Sequence, residues 1–306
     1  MKTVGGPAPA RGQRPLLGAL WMLGALAGFS AMAVTGRSAS AELDTFEILV
    51  WRSLIGLVLV DAVALATGQA AALRPERLRL HAARNAAHFF GQNCWLYAVA
   101  TIPLAQVFAL EFTYPILVAL LAPLLLGEVF RPRVLVFAAV GFAGILLVAR
   151  PSPSGGFDPG QVAALLAAFG FAGSAIATKR LTAGTSLTAI LHWLCLMQLA
   201  MALACAGGDG DIALPGPATV LPVVVLSVAG LLAHLCLTVA LSLAPASMMT
   251  PIDFLRLPLI AVIGMLLYDE ALDPFVFLGG AMIFGANSLN LWLDRRDRRG
   301  SPALAP

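Results

Sequence analysis

Charge is scarce in this chain. Only 11% of its 306 residues are Asp, Glu, Lys or Arg, while 59% are hydrophobic. A soluble domain carries about 25% charged residues to keep its surface in water. No sizeable soluble domain fits here. The net charge of +3 does not point to nucleic acid, because the basic residues sit in loops between apolar runs. Cysteine is sparse too. Cys94, Cys195, Cys205 and Cys236 lie in or beside apolar segments and form no CxxC pair. They read as small buried hydrophobes rather than metal or redox centres. Chemical motifs are also missing. Without a GxxxxGK[ST] loop the chain is no nucleotide-driven pump. HExxH, GxSxG and a Cys/His metal set are absent, and nothing resembles a carbonyl-lined ion filter. No cofactor, metal or enzymatic activity is expected.

What the chain does have is apolar runs of about 20 residues, each able to cross roughly 30 Å of hydrocarbon. The pattern predicts an all-α membrane protein of ten spans, at 15–35, 46–67, 82–101, 104–126, 132–149, 160–178, 187–206, 219–242, 246–267 and 274–293. Fifteen of the nineteen basic residues fall in segments on one side when the N-terminus is placed in the cytoplasm, and only Arg37 and Arg150 fall on the other. By the positive-inside rule both termini are expected in the cytoplasm of a cell with this protein in its inner membrane. Arg52 and Arg256 complete the nineteen, inside spans.

The spans repeat. Leu104–Glu128 is an apolar run with Glu111 inside it, and a shift of 142 positions lands on Ala246–Glu270, with Asp253 in the place of Glu111. Phe112 falls on Phe254, Leu117 on Leu259 and Glu128 on Glu270; Pro103 and Pro245 match just upstream. The same shift relates Gly28-Phe29 to Gly170-Phe171, Arg37 to Lys179, Trp51 to Trp193, Cys94 to Cys236 and Pro132 to Pro274. The first span could pass for a leader, with Arg11 and Arg14 before it and Ser38-Ala39-Ser40-Ala41 after it. Its copy at 160–178 argues that it stays in the fold. Each half holds five spans, an odd number, so the second copy must be inserted upside down. The expected organisation is a cytoplasmic tail at 1–14, a first repeat at 15–150, a linker at 151–159, a second repeat at 160–293 and a cytoplasmic tail at 294–306. Inverted repeats of this kind are typical of secondary transporters.

Ten spans in two halves, a Pro turn before the fourth, Gly127-Glu128 at its end with Asp269-Glu270 in the copy, and Trp51-Arg52-Ser53 in the second span resemble the EamA branch of the drug/metabolite transporters. The resemblance covers residues 15–293. It implies a basket of ten helices around a central cavity, lined in part by the fourth and ninth spans. It leaves the substrate open, since relatives export amino acids or carry riboflavin, S-adenosylmethionine and other metabolites.

Ionisable groups inside spans are costly unless they face a cavity or a partner, so each is a candidate site residue. Glu111 lies seven residues into its span, roughly 10 Å from the external end at 1.5 Å per residue. Asp253 lies equally deep from the other end, which predicts two acids in opposite vestibules. Tyr114 and its counterpart Arg256 fall near the midplane, as do Gln92 and its counterpart His234. Arg52 enters from the external side to the depth of Glu111, so the two can pair; the alternative is a substrate or proton role for Glu111. Asp253 and Arg256 stand three apart on one helix and can neutralise each other, or Arg256 can bind a substrate carboxylate or phosphate. His234 can carry a proton or simply pack. Trp95, Phe89, Phe90, Phe112 and Tyr114 are either an aromatic wall for a flat ligand or helix packing. Pro115, Pro251 and Pro258 can kink their spans for gating or for packing alone. Gly24 and Gly28 form a small-residue packing surface. The basic stretch Arg74–Arg84 reads as a headgroup anchor.

The function expected is alternating-access transport of a small polar or zwitterionic metabolite, with amino acid export leading and import of riboflavin, a nucleoside-like cofactor or another organic anion as the alternative. The partners expected are the small-molecule substrate and the bilayer, with no nucleic acid; a homodimer stays open. A membrane-embedded acyltransferase would need a nucleophile–base pair near an interface, and none is found. A receptor or scaffold would not need matching acids at inverted depths.

Overall fold

A computed structural model describes residues 14–74, 76–127, 132–150, 156–182, 184–208, 211–244, 249 and 252–300. It is built from α-helices: α1 (Pro15–Ala39), α2 (Thr45–Ala66), α3 (Leu78–Thr101), α4 (Leu104–Glu111), α5 (Tyr114–Leu126), α6 (Arg133–Ala149), α7 (Pro159–Leu181), α8 (Leu187–Ala206), α9 (Val220–Leu243), α10 (Arg256–Tyr268) and α11 (Pro274–Gly300). Local chemistry sets several ends. Asp44 and Glu47 form a reciprocal capping box at the start of α2, both bonds 2.8 Å. Asp158 caps Gly160 of α7, with Pro159 in the first turn.

Among the described residues seven helices are long and apolar enough to cross a membrane, with α4 and α5 counted as one. Helix α6 is apolar but shorter. Helix α3 is long enough yet carries Arg84, Asn85, His88, Gln92 and Asn93 along its length. The expected spans correspond to these helices where they are described, with shifted ends: α1 runs to Ala39 rather than 35 and α7 to Leu181 rather than 178, and positions 246–248, 250 and 251 of the ninth span lie outside the described residues. Helix α3 begins at Leu78 rather than 82, and α11 runs on to Gly300.

The fourth span is broken, and the proline explains it. Pro115 has no N–H to return to the carbonyl of Glu111. The chain turns at Phe112 and Thr113, and Ile116 N–H bonds to Thr113 instead of Phe112. The freed Phe112 carbonyl accepts from Asn287 Nδ2 of α11 at 2.7 Å, so that carbonyl is satisfied inside the protein, as lipid requires. The ninth span breaks at the matching place. Ile252–Phe254 make a helical turn, Leu255 turns and α10 starts at Arg256, while Pro258 cannot donate to Phe254. Glu128, Pro245 and Pro251 lie outside the described residues.

Packing follows the duplication. Helix α1 packs chiefly on α9, and its counterpart α7 packs on α3, the counterpart of α9. The pairs α2–α8 and α6–α11 each map onto themselves when the halves are exchanged. That is the signature of a pseudo-two-fold axis, and an odd number of spans per half puts the axis in the membrane plane. The protein is therefore ten transmembrane helices in two inverted five-helix repeats. The correspondence reaches single atoms. A Cβ on Gly28 would meet Ala229 O at 3.0 Å, and a Cβ on Gly170 would meet Ala87 O at 2.7 Å. Ala87 and Ala229 are themselves repeat mates, so both glycines permit the same close helix approach.

Candidate functional site

The two broken spans meet at the centre. Arg256, the first residue of α10, is 4% exposed. Its Nη2 lies 3.6 Å from Glu111 Oε1, and its Nε lies 3.7 Å from Asp253 Oδ1. These distances are ion contacts rather than hydrogen bonds. Arg256 Nε and Asp253 Oδ1 are buried with no hydrogen-bond partner among the described residues. Glu111 is oriented from its other side, since Trp95 Nε1 donates to Oε2 at 2.9 Å. The guanidinium stands over the rings of Phe29, Phe108 and Phe112 at 4.9 to 5.0 Å, a cation–π cage that helps hold a buried cation.

This cluster opens into a cavity of about 370 Å³. Gln92, Trp95, Glu111, Tyr114, His234, Asp253 and Arg256 all line it. The structure thus brings seven of the eight sequence-selected residues to one hollow. Arg52 stands behind the wall instead. It is held by Gln92 Oε1 and, at 3.5 Å, by Gln198 Oε1. The expected pairing of Arg52 with Glu111 is not formed, because α2 packs chiefly on α8 and α9 rather than on α4. The expectation of acids in opposite vestibules is also corrected: Glu111 and Asp253 share Arg256. Each acid sits about 10 Å inside a core roughly 30 Å thick, within about 5 Å of the midplane, and one arginine side chain spans that gap. Of the proposed aromatic wall, Trp95 and Tyr114 line the cavity. Phe89 packs against Phe46, Phe112 against Phe254, and Phe90 is 48% exposed on the outer surface.

Sequence reading missed Arg84, His88, Gln198, Phe29, Phe108 and Phe171. Position in the chain suggests a headgroup anchor for Arg84, but the residue is 8% exposed and lines the cavity. Its Nε donates to Thr178 Oγ1 at 3.1 Å and its Nη1 to Asn85 Oδ1 at 2.9 Å. The signal was present. Arg84, His88, Gln92 and Trp95 recur at helical spacing and lie on one face of α3.

The two ends of the cavity differ. Toward Arg84, Thr178 and Leu241, near the end of α3 that starts the helix and the ends that finish α7 and α9, the wall of the cavity continues. At the opposite end Arg37 ties several elements together. Its Nε donates to Val99 O at 2.6 Å, and its other nitrogens reach Ile102 O and the Glu270 carboxylate. Its guanidinium also lies over Tyr268 at 4.9 Å. Glu270 in turn accepts from Leu104 N–H at 2.9 Å, and Tyr268 Oη donates to Val34 O at 3.0 Å. One ion pair thus ties α1, the α3–α4 turn and the end of α10. Its crossed repeat mates are Lys179 and Glu128.

A duplicated helical membrane bundle whose halves face each other across a charged hollow at two helix breaks is the architecture of a secondary transporter. The comparisons agree. The EamA-like transporter family matches residues 16–150 and again 158–292, and the chain belongs to that family. It is 30% identical over 282 residues to a riboflavin transporter of Brucella anthropi, covering 90% of this chain and 98% of the relative. A pseudopaline exporter of Pseudomonas aeruginosa is 27% identical over 258 residues, covering 83% and 89%. An S-adenosylmethionine uptake transporter of Rickettsia bellii is 22% identical over 280 residues, covering 92% and 95%. One crystal structure matches with a TM-score of 0.64 at 20% identity, over 92% of this chain and 99% of its own, a likeness of fold. The protein is a multi-pass membrane transporter of small molecules.

Proposed function

We propose that this transporter carries a planar, polar metabolite of the flavin or nucleoside kind, by alternating access of the two repeats about the Glu111–Arg256–Asp253 cluster. The observation that carries the reading is the cavity itself: about 370 Å³, with the charged cluster set among Phe29, Trp95, Phe108 and Phe171. That volume lies in the range of pockets that bury a whole drug-sized ligand. Aromatic faces supply stacking area for a flat ring, and the cluster supplies donors and acceptors for its polar edge. The riboflavin and S-adenosylmethionine transporters among its relatives carry molecules of this type by name.

A second reading keeps the amino-acid idea. An acid–guanidinium–acid cluster matches an ammonium and a carboxylate together, and the named pseudopaline exporter supports an outward route. In both readings the protein sits in the cytoplasmic membrane with both termini inside. The cavity then reaches toward the cytoplasm and the Arg37–Glu270 pair closes the external end. Glu111, Asp253 and His234 are the groups proposed to exchange protons if transport is proton-coupled.

Purified protein in liposomes tests the reading. Flux of riboflavin is followed by its own fluorescence, and flux of nucleosides and amino acids by radiolabel. The planar reading expects saturable flavin or nucleoside flux, lost in Glu111→Gln while the protein still folds. Amino acid flux with no response to flavins or nucleosides would replace it with the second reading. Undiminished flux with unchanged pH dependence in Glu111→Gln would remove Glu111 from the mechanism.

A further inference from the structure

Arg52 does not line the cavity, yet it decides what the cavity presents. A guanidinium has only donors. Gln92 and Gln198 must therefore turn their oxygens toward Arg52 Nη1, as they do, and their NH2 groups elsewhere. The NH2 of Gln198 points to His88 Nδ1 at 2.6 Å. Nδ1 is then an acceptor, and a neutral imidazole must carry its proton on Nε2. His88 lines the cavity, so its ring offers an N–H donor there. Gln92 lines it one turn further along α3 with its NH2 turned away from Arg52. Arg84 lines it one turn before His88, and its Nη2 makes no hydrogen bond to a described residue. One face of α3 therefore carries N–H donors on three successive turns, about 12 Å from first to last.

The charges agree with the donors. Glu111 and Asp253 both lie against Arg256. Among the described residues Arg52 and Arg84 have amide and hydroxyl partners and no carboxylate within ion-pair distance. Three buried guanidiniums thus share two acids around one hollow. A buried cation held by neutral groups is stabilised by any anion that reaches it.

We infer that the α3 face of Arg84, His88 and Gln92 is a subsite for an anionic, acceptor-rich group, a carboxylate or phosphate, on the transported molecule, and that Arg52 is the positioning residue that fixes its donors. The inference rests on the cavity being the substrate site, and it adds the charge of one end of the substrate.

The test uses the purified full-length protein and paired ligands that differ by one anionic group: riboflavin and its phosphomonoester, adenosine and its monophosphate, an amino acid amide and the free amino acid. Dissociation constants are read from flavin fluorescence and thermal shift. The anionic member of any pair that binds should bind about tenfold tighter or more, the scale of one hydrogen bond to a charged group. Arg84→Gln should bring that ratio near one. Arg52→Gln should lower it, while Arg52→Lys, still donor-only, should retain most of it. Nitrogen chemical shifts of His88 should report an unprotonated Nδ1 in the wild type and a mixture in Arg52→Gln. Equal affinity within the flavin or nucleoside pairs overturns the subsite and leaves the planar reading standing. Response of the amino acid pair alone overturns the planar reading, and the ratio within that pair then decides the subsite. Silence from all pairs overturns both.

Discussion

The two repeats kept the same scaffold and divided the chemistry. Gly28 and Gly170 make the same close contact on repeat-related alanines, both fourth-type spans break at one place, and both breaks carry an acid. Around those breaks the copies differ. Arg256 stands where the first half has Tyr114, and Arg84, His88 and Gln92 correspond in sequence to Leu226, Gly230 and His234 of the second half. The α3 wall is polar and donor-rich. The α9 wall carries no buried cation and sets His234 and Thr238 beside Leu237 and Leu241 against the cavity. Positions that set helix packing stayed alike because both copies must meet the same steric demand. Several positions lining the hollow differ between the copies, Tyr114 against Arg256 and Gln92 against His234 among them.

The comparison can be broken in order of effect. Arg256→Ala leaves Glu111 and Asp253 buried together without a cation. A loss of about 3 kcal/mol or more, roughly 100-fold or greater in binding or flux, is expected. Tyr114→Phe, at the matching position of the other half, should cost less than about tenfold, the scale of a neutral hydrogen bond. Comparable losses would erase the asymmetry between the breaks. If Arg256→Ala misfolds while the double variant Asp253→Asn/Arg256→Gln folds and transports fully, the cluster is structural.

Packing should respond alike in both halves. Gly170→Ala and Gly28→Ala each force a methyl against backbone, and each should destabilise by about 1–3 kcal/mol, read as a lower melting temperature in detergent. A large effect at one glycine and none at the other would contradict the pseudo-symmetric packing. Gly285, with open space around its added Cβ, serves as the control. The smallest effect is expected at the closed end. Glu270→Gln keeps the acceptor for Leu104 N–H but removes the charge opposite Arg37. It should raise thiol labelling of a cysteine introduced at Val34 several-fold without abolishing transport. Unchanged labelling would show that Arg37 holds that end through Val99 and Ile102 alone.

The fold was legible because its cause is local. Apolar runs define spans, the shift of 142 defines the duplication, and an odd span count forces inversion. The acids and Arg256 were legible for a similar reason, since a charge inside an apolar run needs a partner or water. What was not legible depends on which helices face each other. Depth alone pairs Arg52 with Glu111, yet α2 packs elsewhere and gives Arg52 to Gln92 and Gln198. Arg84 reads as a headgroup anchor in sequence because it lies near the start of its span. Its actual neighbours, Asn85 and Thr178, come partly from the other repeat. The convergence of Glu111 and Asp253 on one arginine requires knowing that the pseudo-two-fold axis passes close to both breaks.

Cysteine accessibility measures the central feature directly. Single cysteines at Thr178, Leu241 and Tyr114, in a background with the four native cysteines replaced, are treated with a membrane-impermeant thiol reagent in inside-out and right-side-out vesicles. The account predicts labelling at all three from the cytoplasmic face, in the order Thr178 and Leu241 before Tyr114, and protection of Tyr114 by the transported ligand. No labelling of Tyr114 from either face, with Thr178 and Leu241 reactive, would mean that no water-filled path reaches the Glu111–Arg256–Asp253 cluster, and would contradict the account.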